Sequence, residues 1–140
     1  MMVILSFIAM YIFMYAMVDR PANVYPNVNQ FYMAGLMAAP MLLIELALMS
    51  SMYPNKTWNT ALIATAVTAM LAFWIGIRQQ TAVSDSQFVR SMIPHHAGAI
   101  LMCGKASLKD AELKALCENI MSGQQREIDQ MKAKMKELSG

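Results

Sequence analysis

The stretch WNTALIATAVTAMLAFWIGIRQQ, residues 58–80, decides the fold class of this chain. It is apolar and uncharged through Ile77, and Arg78 then ends the run. A run of about 20 apolar residues is long enough to cross the hydrocarbon core of a bilayer as a helix. We therefore predict a membrane-spanning helix over residues 58–77.

Two earlier segments have the same character. Residues 2–18 are apolar without interruption until Asp19, and residues 31–52 form a second long apolar run. Proline and asparagine, which favour turns, lie between the apolar runs. We therefore predict that residues 1–80 form a three-span transmembrane region, with membrane lipid as a partner.

The distribution of charge divides the chain into two parts. Of its 140 residues, 57% are hydrophobic and 14% are charged, whereas soluble domains carry about 25% charged residues. The charged residues before Arg78 are Asp19, Arg20, Glu45 and Lys56. A net charge of +2 is too small to indicate a nucleic-acid partner, and we expect none.

The remainder of the chain has the spacing of an amphipathic helical hairpin. Apolar residues recur three and four apart from residue 85 to about 107, and again from 110 to about 138. Ser84 and Asp110 stand where N-cap residues are expected. Helices joined by a short turn are antiparallel neighbours, so we predict an all-α chain that ends in a soluble hairpin over residues 81–140.

Counting outward from the turn predicts which side chains of the hairpin face each other. Both helices rise about 1.5 Å per residue, so Cys103 should lie opposite Cys117. His96 should lie opposite residues 121–124. The two cysteines lack the spacing of a zinc site, which leaves a disulfide, two free thiols or metal ligands as alternatives.

The motif Met-Ile-Pro-His-His, residues 92–96, is the strongest functional feature. Met92, His95 and His96 lie about one helical turn apart. Imidazole and thioether together suit Cu(I), Ag(I) or Cu(II). Glu127 could be a further ligand or could hold a histidine N–H. The alternative is that the histidines are structural side chains of the hairpin core.

A methionine ladder in the second span offers a different hypothesis. Met33, Met37 and Met41 share a helix face, and the pattern resembles the Met-x-x-x-Met of three-span Ctr-type copper transporters. That resemblance implies a transport path in which Glu45, a costly residue within a span, would take part. The alternatives are that methionine is apolar filler and that Glu45 is neutral and hydrogen-bonded.

The hairpin resembles the ferritin-like family known as domain of unknown function 305. Its residues match the family over positions 84–136 in two motifs that occur in the expected order. They are Asp85-x-x-Phe88-x-x-x-Met92-Ile93-Pro94-His95-His96-Ala97-Gly98-Ala99-Ile100-x-Met102 and Gln125-x-Glu127-Ile128-x-x-Met131. The characterised members are copper-binding and copper-resistance proteins, so the resemblance implies a copper site. Its residues in this chain would be Met92, His95, His96, Met102, Glu127 and Met131.

The resemblance also implies an assembly and a location. Bundles of the family have four helices and this hairpin supplies two, so we expect a homodimer that completes the bundle. A copper-sequestering domain belongs outside the cytoplasm. We therefore expect a protein of the bacterial inner membrane whose hairpin lies on the extracytoplasmic side. Arg20 and Arg78 would share the side of the hairpin and Lys56 the other, so the positive-inside rule favours the opposite orientation by one charge.

The leading hypothesis is a membrane-anchored protein that sequesters or hands on Cu(I) or Ag(I). The alternatives are a three-span copper transporter and a structural protein whose hairpin only dimerises. We expect no enzymatic activity, because the sequence has neither the Glu-x-x-His pairs of di-iron bundles nor a Gly-rich phosphate loop.

Overall fold

A computed structural model describes residues 2–49 and 55–139 of the chain. Within these ranges the fold is all-α, as predicted, with no strand. The five α-helices are α1 (Met2–Phe13), α2 (Val28–Leu48), α3 (Lys56–Gln79), α4 (Asp85–Lys105) and α5 (Ala111–Ser139). They form two compact units.

The first unit, which we call the apolar unit, contains α1, α2 and α3. Among the described residues, α2 and α3 are long and apolar enough to cross a membrane, with 21 and 24 residues. They correspond to the predicted second and third spans, although the predicted end of the second span, residues 50–52, lies outside the described residues.

The first predicted span is shorter than expected. Helix α1 has 12 residues and continues only as a 3-10 turn, Met14–Met17. The whole segment is about 26 Å long, against roughly 30 Å for the hydrocarbon core. The prediction rested on an apolar run that continues to Asp19. In the structure the α-helix ends earlier, at Phe13, although the residues that follow are still apolar.

Two glycines allow α2 and α3 to approach closely. A Cβ atom added to Gly35 would lie 2.4 Å from the ring of Phe73, and one added to Gly76 would lie 3.2 Å from the ring of Tyr32. The rings of Phe31 and Phe73 pack edge to face, with centroids 5.9 Å apart. The two helices therefore pack by placing aromatic rings directly against glycines, where the side chain of any larger residue would collide with the ring.

The end of α3 is fixed to the start of α2 by side-chain amides. Asn29 and Gln80 donate reciprocally to each other's amide oxygens at 3.0 and 3.1 Å, and the Tyr32 hydroxyl donates to the Thr81 carbonyl at 2.7 Å. Gln80 and Ala82 both have positive φ, 50° and 57°. For alanine this left-handed conformation is unfavourable, so the exit from α3 is strained.

The second unit, which we call the hairpin unit, contains α4, α5 and the segment Tyr15–Asn27. The two helices match the predicted ranges to within two residues at each end. Both predicted N-caps are confirmed: Ser84 Oγ accepts from the Gln87 N–H at 3.4 Å, and Asp110 Oδ1 accepts from the Leu113 N–H at 2.9 Å.

The segment Tyr15–Asn27, which we call the strap, covers the hairpin's apolar core. Val18 and Tyr25 of the strap pack against a buried cluster of both helices, and the Met17 carbonyl lies 3.4 Å from the position a Cβ would take on Gly98. The cluster consists of Val89, Ile93, Ala97 and Ile128. The expected homodimer rested on a hairpin with nothing to cover it, and the strap supplies part of that cover from the same chain.

Candidate metal centre

His96 is the centre of the candidate site and is held at both ring nitrogens. His96 is 9% exposed. Nδ1 lies 2.9 Å from the Met92 carbonyl oxygen, and Nε2 lies 2.7 Å from Glu127 Oε2. A carbonyl oxygen can only accept, so Nδ1 must carry a hydrogen. The contact with Glu127 in turn needs one proton between Nε2 and Oε2, because two lone pairs would repel each other at 2.7 Å.

A groove of about 340 Å³ lies beside His96. Four of the residues predicted from sequence line it together: two thioethers, one imidazole and one carboxylate. The complete lining is Phe88, Val89, Met92, His96, Glu127, Gln130, Met131 and Lys134. The groove thus combines an apolar wall with sulfur, nitrogen and oxygen donors.

Two predicted ligands lie outside the groove. His95 is exposed, and its ring centroid is 6.0 Å from that of His96, because adjacent residues of an α-helix point about 100° apart. Met102 is 53% exposed and follows His96 by six residues, or about 9 Å along the helix. The structure does not bring either side chain to the same point as Met92 and Met131.

The partner of His96 differs from the one predicted by counting residues. His96 was expected opposite residues 121–124, yet it contacts Glu127. Side chains of an α-helix lean toward its N-terminus. In α4 this direction is away from the turn, and in α5 it is toward the turn. His96 and Glu127 therefore lean toward each other from different heights, which the counting ignored.

The charged groups at the groove keep its mouth polar. The Glu127 side chain is 56% exposed, so its contact with His96 lies at the boundary with solvent. A hydrogen bond to Glu137 at 2.7 Å raises the pKa of Lys134. Lys134 is therefore held as a cation by its pairing with Glu137 at the edge of the groove.

A polar clamp that we did not predict from sequence fixes the strap to α5. Asn23 is 1% exposed, and its Oδ1 accepts from Lys132 Nζ at 2.5 Å. Its Nδ2 donates to Asp19 Oδ1 at 2.6 Å. Lys132 directly follows the groove residue Met131, so the clamp contributes to the position of that part of α5.

The clamp also perturbs the carboxyl group of Asp19, whose side chain is only 8% exposed. Burial by itself would raise the pKa of Asp19. Hydrogen bonds from Asn23 and Arg20, and the charge of Arg20, outweigh burial and hold the pKa below its usual value of 3.8. The buried Asp19 is therefore stabilised as a carboxylate.

The two cysteines form a disulfide between α4 and α5. The Cα atoms of Cys103 and Cys117 are 5.2 Å apart, which agrees with their predicted position across the hairpin. Of the three alternatives that the sequence left open, the structure has the disulfide. It fixes the end of the hairpin next to the turn.

The methionine ladder of α2 lies on the surface of the apolar unit. Met33 and Met37 are 39% and 46% exposed, whereas Met41 and Glu45 are half-buried. The first two methionines therefore do not line a path between the helices of a single copy. The transport path along this ladder stays a hypothesis, and two of its three methionines face outward.

The donor types at the groove indicate which class of metal it fits. Among residues 2–49 and 55–139, no three His, Cys, Asp or Glu side chains converge to form a metal site. The groove instead adds two thioethers to one imidazole. Soft donors of this kind select Cu(I) and related ions over hard cations.

Comparison with known protein families agrees with the family resemblance of the hairpin. The family model described as Domain of unknown function (DUF305) matches residues 48–135. The chain belongs to the DUF305 family. The match includes all of α3 and α4 and most of α5, so it begins further toward the N-terminus than the resemblance over residues 84–136.

A similar protein extends the relationship to almost the whole chain. The "Uncharacterized protein L153" of Acanthamoeba polyphaga mimivirus is 35% identical over 134 residues, which is 94% of this chain and 86% of that protein. No solved structure matches. This DUF305 protein therefore shares nearly its full length, including the apolar unit, with a viral relative.

Proposed function

We propose that this DUF305 protein is a membrane-anchored protein that binds Cu(I) or Ag(I) in the groove of its hairpin and sequesters the ion or hands it on. The observation that carries the proposal is the hydrogen bond from His96 Nδ1 to the Met92 carbonyl. It fixes the ring so that Nε2 is the nitrogen that can bind a metal once its contact with Glu127 is given up, beside the groove that Met92 and Met131 line.

Glu127 has a defined part in this proposal. Its carboxylate lies 2.7 Å from His96 Nε2. Metal binding therefore releases the proton between them, and the carboxylate moves away from the ring nitrogen or becomes a ligand itself. The carboxylate is half-exposed and can move into solvent at low cost. Bound Cu(I) would have its charge balanced there, while Nε2 and the two sulfurs supply the soft ligands.

The apolar unit supports membrane anchoring. Apolar side chains of α3 are widely exposed, with Trp58, Leu71 and Trp74 at 68%, 52% and 53%. Such a surface on a helix of spanning length is suited to lipid. We propose that the hairpin lies on the oxidising side of the membrane, because disulfides persist in oxidising compartments.

The proposal is tested by competition titration of the full chain in detergent, with Cu(I) and a chromogenic chelator. The variants are Met92→Leu and Met131→Leu, which keep side-chain volume and normally cost under about 1.5 kcal/mol in stability. We expect each to weaken Cu(I) binding more than tenfold. Met102→Leu is the matched control and should leave the affinity unchanged, because that methionine lies outside the groove.

Equal affinities in all four proteins would contradict the proposed site. The homodimer is a proposal that the same samples test, through their mass in detergent by light scattering. For transport, no observation favours a path along Met33 and Met37 over binding by the hairpin. Metal flux into liposomes that disappears in Met41→Leu would reverse that preference.

A further inference from the structure

We propose that the disulfide end of the hairpin is a second soft-metal site, formed by Cys103, Cys117 and Met121 when the disulfide is reduced. This site is separate from the groove and does not depend on it. Cys103 and Cys117 provide two thiolates, and Met121 provides a thioether. Three sulfur donors of this kind suit Cu(I) or Ag(I).

The position of Met121 brings its sulfur to this end of the hairpin. Met121 follows Cys117 by one helical turn, so both side chains lie on the same face of α5. Its Sδ lies 3.7 Å from the position that a Cβ would take on Gly104. Gly104 is the neighbour of Cys103 in the chain. The thioether thus crosses from α5 to α4 within one residue of the disulfide.

The geometry of the pair permits both thiolates to hold one ion. The Cα atoms of Cys103 and Cys117 are 5.2 Å apart. Metal–thiolate bonds are about 2.3 Å long, as at zinc. Once the sulfur–sulfur bond is broken, rotation about χ1 is free to separate the two sulfurs, and the proposal places one ion between them. Both cysteines are half-buried, and Met121 is too, so the three sulfurs are partly screened from water.

Reduction is the step that opens the site. A dithiol reductant transfers two electrons to the Cys103–Cys117 bond, and the sulfur–sulfur bond breaks as the reductant forms its own disulfide. Each cysteine sulfur then takes one proton from the reductant's thiols. Binding of Cu(I) by both thiolates releases those two protons. The oxidised hairpin has no free thiol at this end and offers only the groove.

The two sites lie on one seam of the hairpin. Cys103 follows His96 by seven residues, or two helical turns, and so lies on the same face of α4 about 10.5 Å away. Cys117 precedes Met131 by two such repeats on α5. A reduced hairpin would therefore carry two soft-metal sites in a row, one near the turn and one near the open end.

The test counts metal ions bound to the full chain in detergent, by equilibrium dialysis against Ag(I) with elemental mass spectrometry. Protein is compared before and after anaerobic reduction by a dithiol that is then removed. The expected gain is one ion per chain on reduction. The gain should vanish in Cys103→Ser/Cys117→Ser, and the added ion should bind at least tenfold more weakly in Met121→Leu, with Met102→Leu as the unchanged control.

The same experiment separates this inference from the proposed groove. In Met92→Leu/Met131→Leu, the oxidised chain should bind no ion tightly and the reduced chain should bind one. A reduced chain that gains no ion, or whose gain is the same in Met121→Leu, would overturn the second site. An oxidised wild-type chain that binds nothing would overturn the groove instead. Circular dichroism of the reduced, metal-free chain must show that its helix content is unchanged. A loss of helix on reduction would also count against the second site.

Discussion

The replacement of Asn23 by alanine tests the role of the strap. Asn23 is buried, and its amide bonds Lys132 and Asp19, which are both charged. Hydrogen bonds to charged groups contribute about 1.5–3 kcal/mol each. Lys132 is half-buried and partly regains water when the bond is lost, so the low end of the range applies. We expect a loss of about 3 kcal/mol.

Amide hydrogen exchange of the full chain in detergent measures this loss where it should occur. A loss of 3 kcal/mol corresponds to exchange about a hundredfold faster, since each 1.4 kcal/mol is a factor of ten. The faster exchange should appear in α4 and α5 around Ile93 and Ile128, the core that the strap covers. It should leave α2 and α3 unchanged.

Asn119→Ala is the matched control. Asn119 is an exposed asparagine of α5, and alanine favours a helix more than asparagine does, so exchange in this variant should be equal or slightly slower. Unchanged protection of α4 and α5 in Asn23→Ala would refute the view that the strap stabilises the hairpin. It would also restore the original reason to expect a homodimer.

Three further predictions concern stability. Because the pKa of Asp19 in the folded chain lies below its usual 3.8, its contribution is complete above about pH 5 and is lost as the pH falls through the folded pKa. Thermal melts of the full chain from pH 5 downward should show this loss, and Asp19→Asn should flatten it. Gly35→Ala should destabilise the apolar unit by about 1–3 kcal/mol, because the added methyl group meets the Phe73 ring. Gly123→Ala meets nothing and should stabilise α5 by up to about 1 kcal/mol; the same sign for both glycine variants in denaturation assays would contradict the packing. Ala82→Gly should stabilise the chain by about 1 kcal/mol by relieving the positive φ of 57°, and a loss of stability in thermal melts would show that this turn is unstrained.

The hairpin could be predicted from sequence because its signals are local. The caps at Ser84 and Asp110 and the recurrence of apolar residues are properties of neighbouring positions. Simple counting from the turn also places Cys103 beside Cys117, because errors in height are small near the turn. The same counting fails by several residues at His96, because it leaves out the lean of each side chain toward the N-terminus of its helix.

The strap could not be predicted in the same way. Val18 looks like the end of an apolar span, and Asn23 looks like a residue of an ordinary polar turn. Their partners lie far along the chain, and Lys132 is 109 residues from Asn23. No local pattern marks such a contact.

The sequence predicted which types of side chain form the candidate site, but not all of the residues that line it. The motif at residues 92–96 supplies the imidazole and a thioether, and the α5 positions Glu127 and Met131 follow from the resemblance to the family. A sequence motif does not tell which of two adjacent histidines faces inward. Burial against α5 decides it, and the result is that His96 lines the groove and His95 does not.

X-ray absorption of the oxidised full chain loaded with one equivalent of Cu(I) tests the groove most directly, because it counts the sulfur and nitrogen atoms bound to the metal. We predict a shell with two sulfurs and one imidazole nitrogen, from Met92, Met131 and His96. In Met92→Leu the shell should lose one sulfur, and in Met102→Leu it should be unchanged. A shell of nitrogen and oxygen alone, or one that is identical in all three proteins, would contradict the proposed site.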